Sequence, residues 1–151
     1  MNYKVAKVLG FNSDQQAAQG ASFAEGPDNV LLVLLKITSD DAFTEGRQLL
    51  SSLADNFFAG EGSIPEKLSA CFKEVGSNGA VLAVASGKTF YLLWQGEMEV
   101  NLIRAGVLST LTNLAGEGQL ISGFLQGSDR VLLSTKSFRQ FLGEEFNSLP
   151  E

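Results

Sequence analysis

One short stretch, residues 30–37, constrains the fold more than any other part of the sequence. It reads "VLLVLLKI" and contains a single polar side chain, that of Lys36. A continuous apolar run of this length is typical of a strand whose two faces are both covered. We therefore predict that residues 30–37 form a buried strand of a sheet.

Two amphipathic helices are predicted to follow this strand. Residues 39–41, Ser-Asp-Asp, place acids in the first turn of the first helix, where carboxylates stabilise the helix dipole. Ser63 and Glu66 have the spacing of a capping box, which predicts the start of the second helix. The apolar stripe of the second helix consists of Leu68, Cys71, Phe72 and Val75. Both helices therefore have one apolar face to bury.

Short strands dominate the rest of the chain. Residues 3–9 suggest a first strand, whereas residues 10–29 have the Gly, Asn, Asp and Ser content of loop or edge structure. Further strands are predicted at 79–85, 89–95, 98–104 and 107–111. A final strand, residues 130–133, runs into an amphipathic helix. This order of strands, two helices, a meander and a last helix predicts an α+β fold.

The composition limits both the size of the core and the class of partner. With 151 residues, 44% of them hydrophobic, the chain fits one compact domain over residues 1–151. Eleven basic and seventeen acidic residues give a net charge of −6, which argues against binding to nucleic acid or to an anionic membrane. No apolar run approaches the roughly 20 residues that span a bilayer, so we expect no membrane span.

Cysteine and histidine usage narrows the chemistry further. The single cysteine, Cys71, cannot form an intrachain disulfide, and the first residues lack the apolar core of a signal peptide. We therefore expect a cytoplasmic protein. Histidine is absent, which excludes serine–histidine and cysteine–histidine nucleophile pairs and histidine-containing zinc sites. Any catalysis would depend on carboxylates, lysines or hydroxyls.

The second half of the chain, "GAVLAVASGKTFYLLWQGEMEVNLIRAGVLSTLT" followed by "ISGFLQGSDRVLLSTKSF", resembles the metal-dependent serine/threonine protein phosphatases of the PPM type. Residues 102–106 match the family's strand that ends in Arg-x-Gly, and residues 127–133 match its "GDxLLL" segment with one inserted residue. Residues 95–97, Gln-Gly-Glu, take the place of a Gly-Asp pair. The first half matches more loosely, through residues 30–38 with the helix that follows and through Asn-Ser-Asp at residues 12–14.

The resemblance implies a four-layer α-β-β-α sandwich, in which two antiparallel sheets are flanked by helices. The chain is shorter than the family's usual catalytic domain, so we expect a shortened version of this fold. The resemblance also implies a cleft at one end of the sandwich, where carboxylates of active family members hold two Mn²⁺ or Mg²⁺ ions.

Four acid positions of the family pattern can be checked in this sequence. At residues 12–14 the acid Asp14 remains, but a serine replaces its acidic neighbour. The central Asp-Gly turn is replaced by Leu-Lys-Ile-Thr, which puts Lys36 or Ile37 at a ligand position. The later Ser-Asp-Gly is replaced by Thr-Lys-Ser, which puts Lys136 at another. The fourth position lies beyond residue 151 or does not exist.

These replacements predict that the chain has no catalytic residues and no metal site. A lysine ammonium repels a divalent cation and also pairs with any carboxylate that remains. Asp14 is then a vestigial ligand, and the degenerate site is marked by Lys36, Ile37, Glu97 and Lys136. The favoured hypothesis is a pseudophosphatase-like regulatory domain, without cofactor, that binds a protein partner or a second copy of itself.

Two other hypotheses stay open. A working metal-dependent serine/threonine phosphatase would need Mn²⁺ or Mg²⁺ held by Asp14, Asp40, Asp41 or Glu97. A small-ligand sensor could be built on the same scaffold. Each residue also has an ordinary structural interpretation: Asp14 as a solvated loop acid, Asp40 and Asp41 as helix caps, and Lys136 as a partly exposed lysine at a helix start.

Overall fold

The computed structural model describes residues 3, 5, 16–26 and 28–138. The strands are β1 (Gln16–Glu25), β2 (Asn29–Thr38), β3 (Gly79–Ser86), β4 (Thr89–Gln95), β5 (Met98–Arg104), β6 (Val107–Thr110), β7 (Ile121–Phe124) and β8 (Arg130–Thr135). The helices are α1 (Ala42–Ala59) and α2 (Ile64–Glu74), with a 3₁₀ turn at Leu111–Asn113. None of the described helices is both long and apolar enough to cross a membrane.

The strands form two antiparallel sheets. The larger sheet has the order β1-β2-β3-β4-β7, and the smaller sheet has the order β6-β5-β8. β1 to β4 pair with unbroken register, and the turn after β4 carries the chain into β5 of the smaller sheet. The predicted sandwich of two antiparallel sheets is confirmed.

Two apolar cores hold these layers together. One lies between the larger sheet and the helices α1 and α2, and the other lies between the two sheets. β2 contributes to both: Leu31, Val33, Leu35 and Ile37 are buried against the helices, whereas Leu32 and Leu34 are half-buried against the smaller sheet. The prediction of a strand covered on both faces is confirmed.

The second helix begins as its sequence predicts. The Ser63 hydroxyl accepts a hydrogen bond from the Glu66 backbone N–H at 3.3 Å, and Gly76 follows the helix with a positive φ of 63°. Cys71 is buried on the apolar face, and burial raises the pKa of its thiol. This burial, on the apolar face of α2, fits a core residue.

The first helix differs from its prediction in one detail. Asp41 occupies the N-cap position, but its carboxylate makes no capping hydrogen bond, and both Asp40 and Asp41 are exposed. The backbone carbonyl of Asp41 accepts from the Glu45 N–H at 3.0 Å instead. The aspartates therefore start the helix through backbone geometry and dipole rather than through a side-chain cap.

Two boundaries differ from the sequence-based prediction. Half of the segment predicted as loop or edge structure, residues 10–29, forms β1, which is a regular ten-residue strand at the edge of the larger sheet. Among the described residues β1 pairs only with β2. β8 extends through Thr135, and residues 136–138 are helical, so the chain turns from strand to helix at Lys136. Of the strand predicted at residues 3–9, the structure describes only residues 3 and 5 and assigns neither to a strand, and the rest of the last helix also lies outside the described residues. Both α1 and α2 pack on the larger sheet, so neither forms the outer layer expected on the smaller sheet.

Candidate functional site

The backbone brings three of the predicted site residues to one end of the sandwich. Lys36, near the end of β2, pairs with Gly79 at the start of β3. Glu97 lies in the turn between β4 and β5, and its carbonyl accepts a hydrogen bond from the Lys136 backbone N–H at 2.9 Å. The sheet register and this bond therefore place Lys36, Glu97 and Lys136 at the same end of the two sheets.

Two glycines allow the backbones to come close at this end. Gly96 has a φ of 81°, and a Cβ atom added to it would lie 2.9 Å from the Cα atom of Gly79. A Cβ atom on Gly79 would in turn lie 3.3 Å from both the Lys36 Cβ and the Met98 Cε. The turn that carries Glu97 is therefore pressed against the start of β3, next to the stem of Lys36.

The carboxylates described at this end do not fit a pair of divalent metal ions. Two such ions need several oxygen ligands that converge on them. Glu97 is exposed, and Ile37 is buried in the core beneath the helices, so it offers no ligand. Nowhere in residues 16–26 and 28–138 do three or more acids or cysteines cluster closely enough to hold a metal. Asp14 lies outside the described residues.

The described charges at this end have both signs, with Glu97 and Glu117 beside two lysines. Lys36 is half-buried, and Lys136 is exposed. Among the described residues neither ammonium has an ion-pair partner within 4 Å. An ammonium at a ligand position repels a divalent cation, so each lysine disfavours metal binding at its own position.

A polar cavity of about 290 Å³ lies beside this end of the sandwich. The side-chain amide of Gln95 donates hydrogen bonds to the carbonyls of Gly76 at 2.7 Å and Asn78 at 2.5 Å. The Gly96 N–H donates to the Glu117 carboxylate at 2.7 Å. The sequence placed Gln95 in a segment that resembles the family but gave no signal for its hydrogen bonds or for Glu117, because the partners are backbone groups far away along the chain. These bonds brace the wall of the cavity and hold the Gly96 turn in place.

Comparison with family models and with curated proteins finds no match to this chain. Solved structures do match. The Mycobacterium tuberculosis serine/threonine phosphatase PstP is 15% identical with a TM-score of 0.58, and the match covers 86% of this chain and 81% of that chain. The catalytic domain of PstP in complex with two manganese ions gives a TM-score of 0.59 at 15% identity and covers 90% and 85%.

Two further matches come from other bacteria. The phosphatase domain of the cell fate determinant SpoIIE from Bacillus subtilis is 11% identical with a TM-score of 0.58, covering 94% of this chain and 72% of that chain. PppA, a key regulatory component of T6SS in Pseudomonas aeruginosa, is 13% identical with a TM-score of 0.56, covering 90% and 76%. The chain has the fold of the PPM-type phosphatases. The predicted PPM-type resemblance is therefore confirmed at the level of the fold. Identities of 11–15% support a likeness in fold alone.

Proposed function

We propose that this chain is a non-catalytic, phosphatase-like module that acts by binding another protein chain. The observation that carries the proposal is the pair of lysines at one end of the sandwich. Lys36 and Lys136 stand at positions where the PPM resemblance implies metal-binding acids, and no described carboxylate pairs with either one within 4 Å. A site with cations in place of its ligands cannot hold two divalent ions, and without them the family's chemistry has no activated water.

A regulatory role is the natural use of such a scaffold. PppA, which has the same fold, is described as a key regulatory component of T6SS. We propose that this chain likewise regulates through contact rather than through hydrolysis. The proposal needs a surface that a protein can bind.

An exposed apolar segment supplies such a surface. Four large hydrophobic side chains between β6 and the end of β7 are exposed by 40–77%: Val107, Leu114, Leu120 and Phe124. Val107 pairs with Arg104, whose guanidinium donates to the Phe124 carbonyl at 2.9 Å, so the two ends of the segment lie on either side of one arginine. Exposed apolar side chains that together form one patch mark a protein interaction site.

The proposal that the site binds no metal is tested first on the native chain and then on a variant with one added carboxylate. We expect calorimetric titration of the native chain with Mn²⁺ and Mg²⁺ to show no two-site binding, and we expect no metal-dependent hydrolysis of an aryl phosphate. Lys136→Asp should bind Mn²⁺ more tightly than the native chain, because an anionic oxygen replaces a cation at an exposed position. The control is Lys88→Asp, which makes the same charge change in the β3–β4 turn at the other end of the sheet.

The opposite result would restore the alternative of a working phosphatase. Micromolar binding of two ions by the native chain, together with turnover that depends on them, would contradict the proposal. An equal gain in Mn²⁺ affinity in Lys88→Asp and Lys136→Asp would show that net charge, and not the site, sets the affinity.

The interaction surface is tested at its most exposed side chain. If the partner is a second copy, the native chain should self-associate with rising concentration in sedimentation velocity. Phe124→Asp should then abolish this association, because a carboxylate is costly to bury in an apolar interface. Phe43→Asp is the control, since Phe43 is 45% exposed on the separate surface of α1. A native chain that stays monomeric at every concentration would rule out a second copy of the chain as the partner. A different protein would then be the partner that binds the exposed apolar segment.

A further inference from the structure

A second cavity lies at the opposite end of the larger sheet from the two lysines. Its volume is about 260 Å³, and Phe57 and Val84, both buried, form its apolar floor. Asn29 and Ser86, a strand pair at the edge of the cavity, are linked by a side-chain hydrogen bond of 2.6 Å. Along β2, Asn29 is seven residues from Lys36, which is roughly 23 Å at the rise of a strand. The cavity is therefore separate from the degenerate metal site.

Two opposite charges stand at the mouth of this cavity. Lys67 reaches over the floor, with its ammonium 4.6 Å from the centre of the Phe57 ring. Its stem packs against Gly60, where an added Cβ atom would lie 3.4 Å from the Lys67 Cδ. Glu25, at the end of β1, lines the cavity as well. Within the described part of the chain neither Lys67 nor Glu25 has an ion-pair partner within 4 Å.

We propose that this cavity binds a free apolar α-amino acid, with its side chain on the floor, its carboxylate at Lys67 and its ammonium at Glu25. Such a ligand is a zwitterion, so it satisfies both charges without adding to the chain's net charge of −6. An apolar monocarboxylate would leave Glu25 unpaired and would add another negative charge. A primary amine without a carboxylate would leave Lys67 unpaired.

The cavity walls favour an aromatic side chain among apolar amino acids. Phe57 and Phe58 both line the cavity, and their rings meet edge to face with centroids 5.2 Å apart. The ring of an aromatic ligand would extend this arrangement, because aromatic rings prefer edge-to-face or offset contacts over this distance range. Ile64, on the first turn of α2, completes the apolar wall. L-Phenylalanine is therefore the probe.

The ligand would touch three separate parts of the fold. Glu25 belongs to the β1–β2 hairpin, Phe57 to the end of α1, and Lys67 to the start of α2. A molecule that bridges them binds only the folded chain, and it therefore raises the melting temperature increasingly as its concentration exceeds its Kd. This site adds a small-molecule input to the proposed binding module and does not depend on that module being catalytically inactive.

The decisive test compares ligands on the native chain, so that no variant has to fold. L-Phenylalanine should bind in calorimetry and raise the melting temperature. N-Acetyl-L-phenylalanine, which lacks the ammonium, and L-phenylalaninamide, which lacks the carboxylate, should each bind at least about tenfold more weakly. Absence of both heat and melting shift at about 10 mM L-phenylalanine would overturn the proposal. Equal binding of the two analogues and the amino acid would do the same.

Two variants then assign the charges. In Lys67→Met, L-phenylalanine and its amide should bind with equal affinity, because the partner of the carboxylate is gone while the stem over Gly60 remains. In Glu25→Gln, L-phenylalanine and its N-acetyl form should bind equally. Lys73→Met, also on α2, is the control and should preserve the full preference for the zwitterion. Discrimination that survives in both Lys67→Met and Glu25→Gln would refute the assignment.

Discussion

The variant Gly96→Val is expected to lower the free energy of unfolding by about 3–4 kcal/mol. Two penalties combine at this position. Gly96 has a φ of 81°, which a β-branched residue adopts only under strain. Its added Cβ would also lie 2.9 Å from the Cα of Gly79, a backbone atom that cannot rotate away. The turn would have to move off β3, and the Glu97 carbonyl would then lose its bond to the Lys136 N–H.

A matched glycine separates the two penalties. Gly106 has a φ of 78°, but a Cβ atom added there would meet nothing within 4 Å. Gly106→Val should therefore show only the backbone strain, about 1–2 kcal/mol. Urea denaturation of the two variants beside the native chain measures the difference. Equal losses would mean that the close approach of Gly96 to Gly79 contributes nothing to stability.

The regular elements could be predicted because their signals are local. The apolar run of β2 and the Ser63 N-cap of α2 each depend on a few neighbouring residues, and both appear in the structure as predicted. β1 was harder, because its sequence of small and polar residues, "QAAQGASFAE", has no clear alternation. It becomes a strand because it pairs along its whole length with β2, and such a tertiary pairing outweighs weak intrinsic propensity.

The candidate site was predictable as a set of segments but not as a set of contacts. The family resemblance pointed to Lys36, Glu97 and Lys136, and the sheets bring all three to one end. The roles of Gln95 and Glu117 were not predictable, because each one bonds to the backbone of a distant turn. The same holds for Arg104 and Asp129, which lie in two matched segments of the sequence whose contact only the fold reveals.

Loss of the Asp129 carboxylate is expected to have the second-largest effect. Arg104, at the end of β5, donates from Nε to Asp129 Oδ1 at 2.9 Å and from Nη2 to Oδ2 at 2.5 Å, and also to the Phe124 carbonyl of β7. The Gln126 N–H adds a bond to Asp129 Oδ2 at 2.7 Å. This group of bonds ties the edge strand β7 of the larger sheet to β5 of the smaller one. The Asp129 side chain is only 3% exposed, whereas that of Arg104 is 36% exposed.

Asp129→Asn is therefore expected to lose about 1–2 kcal/mol at neutral pH, less than a fully buried pair would lose, because water screens the guanidinium. The hydrogen bonds from Arg104, followed by that from the Gln126 N–H, hold the pKa of Asp129 below its ordinary value of 3.8. A carboxyl whose pKa is lowered on folding stabilises the native state above its unfolded pKa, and that stability is lost as the pH falls through the folded pKa. The difference between native and variant should therefore stay constant from neutral pH down to about pH 5 and shrink below the ordinary value of 3.8. A native–Asp129→Asn gap that persists undiminished in strong acid would show that charge pairing with Arg104 is not its origin.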